Sequence, residues 1–333
     1  MTVHSPSQRV AAVMAPRYGG PHSVFLGDAP LVAPGEGEVQ IGVVAVSLNR
    51  SDLLAIRGEP FFLRLANGII RPRYPIPGSD VAGRVVAVGP GVREPRVGDR
   101  VVGDLSNRGR GGLAEGVNVP AESVVPVPDG VSFAAAASLP TAGVTAYQAL
   151  VAVAGLQKGE RVFLDGASGG VGGYAIQIAR AAGAYVVASV GPGKAERARN
   201  LGAHEAVDYT DEATHIGTGR VKQFDVIHAI NGYRGLNDYQ RLLAPEGRFV
   251  MTGGSGPLML QTMLAGRRFR FHTMKPDRAS LASLLGLVAS GDLVPNIGAQ
   301  YPLSRTVEAL ADLDSGHAPG KIIINVSEKG ESE

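Results

Sequence analysis

Residues 161–173 read RVFLDGASGGVGG, a short apolar run that breaks into five glycines, and the helical pattern YAIQIARAAGA follows at once. Strand, glycine turn and helix in that order suit a dinucleotide pyrophosphate. Small residues let the backbone approach the phosphates, and the helix start offers unpaired N–H groups and the positive end of its dipole. Of the usual G-x-G-x-x-G, Ala167 fills the first place and Gly169 and Gly172 the other two, with Gly170 and Val171 between them. Glycine turns also form where nothing binds, so the motif alone leaves both readings open. The apolar run AYVVASV after the helix completes a β-α-β unit with a parallel strand pair.

At the end of that second strand, a NAD-preferring site carries Asp or Glu about twenty residues past the turn, on the ribose 2′-hydroxyl. Here the position is Ser189, and SVGPGKAER holds no acid before Glu196. Lys194 and Arg197 stand where a 2′-phosphate would sit, which favours NADPH over NADH. Taken alone, Lys194 also reads as an ordinary solvated lysine of a first helical turn.

The 333 residues are enough for two domains. A net charge of +2 implies no nucleic-acid or anionic-membrane partner. Zero cysteines exclude disulfides, thiolate zinc sites and a cysteine nucleophile. The opening MTVHSPSQRV has no apolar secretory region, so a cytoplasmic protein is expected. Residues 131–157 carry no charge, but Pro140, Thr141, Gly143, Thr145 and Gln148 interrupt them, which reads as buried helical turns rather than a membrane span.

The first 128 residues hold short strand-like runs with Gly/Pro punctuation: RVAAVMA, EVQIGVVAVSL, VAGRVVAVG, DRVVGD, EGVNVP and SVVPVP. Their spacing predicts a small β-barrel or sandwich, with SDLLAIRG as a short helix. Beyond Val131 strands alternate with helices, which predicts an α/β, doubly wound parallel sheet with its ligand at the strand C-terminal ends. Three such ends carry small or polar residues suited to a cofactor: Asn231–Gly232, Thr252–Gly253–Gly254 and Tyr209. RFRFHTM, GRFVMTGG and KIIINV read as strands, and SLASLLGLVASGDL and YPLSRTVEALADLDSG as helices. His4, His22 and His317 read as surface positions, and His228 as a buried imidazole inside a strand.

Eight stretches in order carry a family likeness: VSLNRSDLLAIRG, PIPGSDVAGRVVAVGPGV, VGDRVVG, GGLAEGVNVPAESVVPVP, AAAASLPTAGVTAYQAL, GASGGVGGYAIQIARAAGA, LLAPEGRFVMTGG and HAPGKIIINV. The chain resembles the zinc-independent quinone oxidoreductase and enoyl reductase-like branch of the medium-chain dehydrogenase/reductase (MDR) superfamily. The resemblance implies a GroES-like catalytic domain from residues 1–128 and 271–333 and a Rossmann NADP(H)-binding domain from 129–270. It also implies a nicotinamide cleft between them and a homodimer paired through an edge strand such as RFRFHTM. Zinc-dependent family members place a cysteine and a histidine where this chain has Asn49 and Ser79, neither a useful zinc ligand.

Without a Lewis acid, drawing a proton from an alcohol is difficult, whereas an enone or quinone delocalises the incoming charge itself. The implied reaction is hydride transfer from NADPH to such an acceptor, with the enolate held by hydrogen-bond donors. Asn49 is the first candidate donor, with loop organisation by side-chain-to-backbone bonds as its equal alternative. Asp52 reads better as an organiser of the same loop, and Arg50 and Tyr74 as pocket-edge residues. Thr141, Thr145 and Tyr147 resemble cofactor-contacting positions, with core packing as the other role of the last two. Lys194 and Tyr209 resemble the 2′-phosphate site of NADPH-using relatives. FFLRLANGIIRPRY and the close of RGRGGLAEG at Gly116 depart from the family pattern, and Phe61, Phe62, Leu63 and Leu65 suggest a hydrophobic or polycyclic acceptor. Two other readings stay open: a non-redox cyclisation or isomerisation on the same fold, and a non-catalytic binding protein.

Overall fold

A computed structural model describes residues 8–210 and 223–327, with the backbone alone at Leu63 and Ala66. His4 lies outside the described residues. The chain forms two compact units. One takes the described residues up to Thr141, Pro276–Ser290 and those from Ile297 on; the other takes Ala142–Lys275 and Gly291–Asn296.

In the first unit a seven-stranded, largely antiparallel sheet is organised by the long strand Glu38–Leu48. That strand pairs with Asp80–Val88, with Gly116–Pro120 and with the returning strand Lys321–Asn325. Its first half alternates inward and outward, and from Val43 to Leu48 it is buried almost throughout. The reason is the alanine-rich helix Phe133–Ala137, which packs on it and on Asp80–Val88. That packing places residues 129–141 with this unit, where the sequence boundary had put them in the nucleotide domain. Val39, Ile41, Leu53, Ile56, Leu105 and Ile322 lie in its core, each removed from water with a gain of about 1.5–3 kcal/mol for a fully buried large apolar side chain.

The second unit holds six parallel strands in the order Glu205–Asp208, Tyr185–Val190, Arg161–Asp165, Phe224–Ala229, Leu243–Met251, Phe269–Phe271. Numbered along the unit this is 3-2-1-4-5-6, the doubly wound order whose switch point falls beside the first strand. Phe163, Phe224, Tyr239 and Phe249 are fully buried in its core. The charge-free stretch breaks into Phe133–Ala137, Pro140–Tyr147 and a π-helical turn Gln148–Val153. Among the described residues no helix is long and apolar enough to cross a membrane.

Three elements differ from the sequence reading. Phe25–Leu31, FLGDAPL, is a strand against Gln8–Met14 although Gly, Asp and Pro interrupt its pattern. Ile297–Pro302 is a strand, so the helix expected from Tyr301 begins at Thr306. Gly256–Leu264 is a helix capped by Ser255, whose hydroxyl accepts from the Leu258 amide.

Candidate functional site

In the second unit the turn leaves the strand Arg161–Asp165 and opens the helix Gly170–Ala181, with Gly169 at its N-cap. A Cβ on Gly172 would lie 2.4 Å from the backbone Cα, C and O of Ala167, so only glycine fits. A Cβ on Gly169 would meet nothing within 4 Å, which leaves that face of the turn open. Of the expected cofactor residues, Ala167, Gly169, Gly170, Val171, Gly172, Asn231, Gly232, Thr252 and Gly253 gather at the carboxyl ends of neighbouring strands. Backbone bonds tie these ends together: Ile230 N donates to Asp165 O (2.9 Å), Gly232 N to Gly253 O (2.9 Å) and Thr252 N to Ala229 O (3.0 Å).

The ribose side is built by the end of Tyr185–Val190. Ser189 is wholly buried and in register with Asp165, so it packs inside the sheet instead of facing a ribose. The Ser168 hydroxyl accepts from Gly191 N (2.9 Å), joining the turn to the second strand. Lys194 caps the helix Ala195–Asn200, and the exposed Tyr209 stands over Gly191 with Tyr233 beside it, ring centroids 5.7 Å apart. Thr145 is buried in the helix Pro140–Tyr147.

Two supports were not foreseen from sequence. Asp165 is fully buried, and burial raises its carboxyl above the usual range against the Tyr239 hydroxyl bond and Arg234. Asn296 donates its amide to the carbonyls of Gly169 and Gly170, both at 3.1 Å. His228 is buried as expected, and burial lowers its imidazole to about 3; Nε2 lies 3.1 Å from the Thr252 hydroxyl and Nδ1 has no hydrogen-bond partner among the described residues.

In the first unit Asn49, Asp52 and Ser79 meet in a buried polar cluster. Asn49 caps the helix Arg50–Arg57, its N–H donating to Asp52 Oδ2 (2.9 Å) in a reciprocal capping arrangement. The other Asp52 oxygen accepts the Ser79 hydroxyl (2.7 Å) and lies 3.5 Å from Arg110 Nε. Arg110 takes a left-handed φ of 66°, uncommon for a side chain of its size. The Asn49 amide donates to Asp80 (3.0 Å) and weakly to Ser47 O (3.4 Å), and its oxygen accepts from the buried Lys321 ammonium. Both amide protons are therefore engaged inside the protein, and the geometry favours loop organisation over donation to a substrate.

Thr141 likewise donates its hydroxyl to Asp80 (2.7 Å) and its N–H to the other oxygen (3.2 Å). Burial pushes Asp80 up to about 7, against the pull of Lys321 3.7 Å away. Burial also raises Asp104 and lowers Lys321. Tyr74, the third catalytic candidate, is exposed with its ring packed over Gly109. Phe61, Phe62 and Leu65 are also exposed. The side chain of Leu63 lies outside the described ones. At Gly116 a Cβ would lie 2.5 Å from Leu31, so local packing accounts for that glycine.

Comparison with known proteins adds the family context. Residues 35–129 match the alcohol dehydrogenase GroES-like domain and residues 201–324 the zinc-binding dehydrogenase family. The chain is 35% identical over 312 residues to the chloroplast envelope quinone oxidoreductase homolog of Arabidopsis thaliana, covering 89% of this chain and 92% of that one. The quinone oxidoreductase of Coxiella burnetii superposes with a TM-score of 0.86 at 27% identity, over 96% of this chain and 100% of its own. The CurK enoyl reductase gives 0.81 at 28%, over 96% and 100%. A mycobacterial protein complexed with NADPH gives 0.79 at 27%, over 95% and 100%.

Proposed function

The chain belongs to the medium-chain dehydrogenase/reductase superfamily, in its quinone oxidoreductase and enoyl reductase-like branch, and we propose that it is a zinc-independent reductase delivering hydride from NADPH to an enone double bond or a quinone. Its relatives make it an oxidoreductase with a nicotinamide cofactor. The observation that carries the reading is the turn at the sheet's switch point, open at Gly169 and closed to any side chain at Gly172.

The N–H groups at the start of Gly170–Ala181 would hold the pyrophosphate, and Lys194 and Tyr209 the 2′-phosphate. Bound NADPH supplies the hydride. Zinc, which the matched family's description names, does not suit this chain: an amide and a hydroxyl at Asn49 and Ser79 are weak ligands and are already hydrogen-bonded. Asn49, Asp52 and Thr141 keep the 49–52 turn in place through Asp80, Ser79 and Lys321. Among the expected catalytic residues Tyr74 alone is exposed, and it is the proposed hydroxyl donor to the developing enolate. The exposed Phe61, Phe62 and Leu65 support a hydrophobic acceptor.

NADPH and NADH titrations by fluorescence, then oxidation of the reduced cofactor with monocyclic and polycyclic quinones and enones, test the proposal. Binding with turnover on one acceptor class supports it; binding without turnover on any would abandon the redox reading. The cofactor preference rests on Lys194 and on the missing acid. Lys194→Ala is expected to weaken NADPH by about ten- to a hundredfold, as for one charge-assisted hydrogen bond. NADH should stay within about twofold. Equal losses for both would refute the 2′-phosphate role.

A further inference from the structure

Asn296 is nearly fully buried, and it is brought back to the nucleotide unit by the short passage Gly291–Asn296. Gln177, on the helix that follows the glycine turn, brackets that passage: its Nε2 donates to Val294 O (3.0 Å) and its Oε1 accepts Val294 N (2.7 Å). The Asn296 N–H reaches the Tyr174 hydroxyl (3.2 Å) on the same helix. So held, the side chain sits against the turn, where Nδ2 donates to Gly169 O and Gly170 O. Arg197 Nη2 donates to Asn296 Oδ1 (2.9 Å), which decides the end of the amide that faces the glycines. A Cβ on Gly173 would lie 2.2 Å from Nδ2, with the Asn296 side chain supplying all three of its nearest atoms.

We propose that Asn296, oriented by Arg197, is a positioning residue that sets the direction of the two peptide N–H groups meeting the dinucleotide pyrophosphate. The inference rests on the reading of this turn as the cofactor site. In a planar trans peptide the C=O and N–H point in opposite directions. Fixing the Gly169 carbonyl toward Asn296 therefore turns the Gly170 N–H away from it, and fixing the Gly170 carbonyl does the same for Val171. Within the helix Gly173 N already donates to Gly169 O (3.1 Å); Asn296 adds a second donor to that carbonyl and one to Gly170 O, which restrains a first turn whose glycine backbone is otherwise the most permissive in the chain. Gly173 is then glycine because Asn296 occupies the space of its side chain.

The test is dinucleotide affinity, with turnover at saturating cofactor as the second readout. Asn296→Ala is expected to raise Kd for NADPH and NADH alike by about tenfold, the scale of two lost neutral hydrogen bonds, with kcat little changed. Gly173→Ala alone should weaken binding more, and the double variant Gly173→Ala/Asn296→Ala should bind no worse than Asn296→Ala, because the obstructing side chain is gone. Should Asn296→Ala not fold, Asn296→Asp carries the test: it keeps the volume and the Arg197 partner but has no proton for the carbonyls. Wild-type binding matched within about twofold by Asn296→Ala or Asn296→Asp, or full additivity in the double variant, overturns the inference. A wild-type protein that binds neither nucleotide refutes the cofactor reading instead.

Discussion

Gly172→Ala is expected to weaken NADPH and NADH binding by about a hundredfold, with the first unit unaffected. The added methyl would sit 2.4 Å from three backbone atoms of Ala167, and backbone cannot rotate away as the end of a long side chain can. Either the turn opens or the helix Gly170–Ala181 shifts off the sheet. Overpacking of this kind costs about 1–3 kcal/mol, and because the turn is the binding surface the cost falls mainly on affinity, at about 1.4 kcal/mol per tenfold. Gly169→Ala is the informative partner. Its Cβ meets no atom of the described residues within 4 Å and its φ of −87° suits alanine, so the protein should fold and melt as wild type. The methyl would nevertheless project into the open face, and affinity should fall there without a change in stability. Titration of both variants with parallel thermal melts separates the two mechanisms. Binding by Gly172→Ala within about threefold of wild type would remove the turn from the cofactor site.

What could be seen in the sequence follows the distance over which each contact acts. Gly172 and its obstruction Ala167 are near neighbours in the chain, so the strand, turn and helix order was legible without tertiary information. So was the return of Lys321–Asn325 to the first unit, because the resemblance carried it. Asn296 was invisible: its partners Gly169 and Gly170 lie 127 and 126 positions away, and a lone Asn after VP has no pattern. Asn49 shows the intermediate case. Its residue type allowed either a donor or a loop organiser, and the choice was made by Asp80, 31 positions on, which takes an amide proton, and by Lys321, 272 positions on, which holds the amide oxygen. Ser189 is wholly buried, as are its neighbours Ala188 and Val190 on the opposite face, because a doubly wound parallel sheet is covered on both sides, and a pattern of residue types along one strand does not carry that burial. The strand Phe25–Leu31 escaped because its edge pairing with Gln8–Met14 tolerates the Gly, Asp and Pro that a central strand would exclude.

Lys321→Met is expected to be strongly destabilising in the first unit, and its cost should depend on pH. Lys321 and Asp80 are both almost entirely buried, with Asn49 and Thr141 completing the carboxylate's hydrogen bonds and Asp104 adding a repulsive charge. Methionine fills much the same volume but leaves the carboxylate uncompensated, a loss of about 3–5 kcal/mol for a broken buried pair. Burial already holds Asp80 at about 7, well above the ordinary carboxylate range, while Lys321 pulls it down. Removing the lysine lifts it further. A carboxyl raised in the folded state favours folding in its protonated form, so that contribution is complete below the unfolded pKa and is lost as pH rises through the folded one. Asp80 is protonated in both folded proteins below about 7, so the variant should track wild type near about pH 5 and fall behind it above about pH 7, by about 1.4 kcal/mol for each further pH unit until its own Asp80 ionises, read from denaturant melts near about pH 5 and about pH 9. Adding Asp80→Asn to Lys321→Met removes the orphaned charge and should recover most of the loss at the higher pH. A deficit equal at both values, or a double variant no better than the single one, would show that Lys321 acts through packing and not through its charge on Asp80.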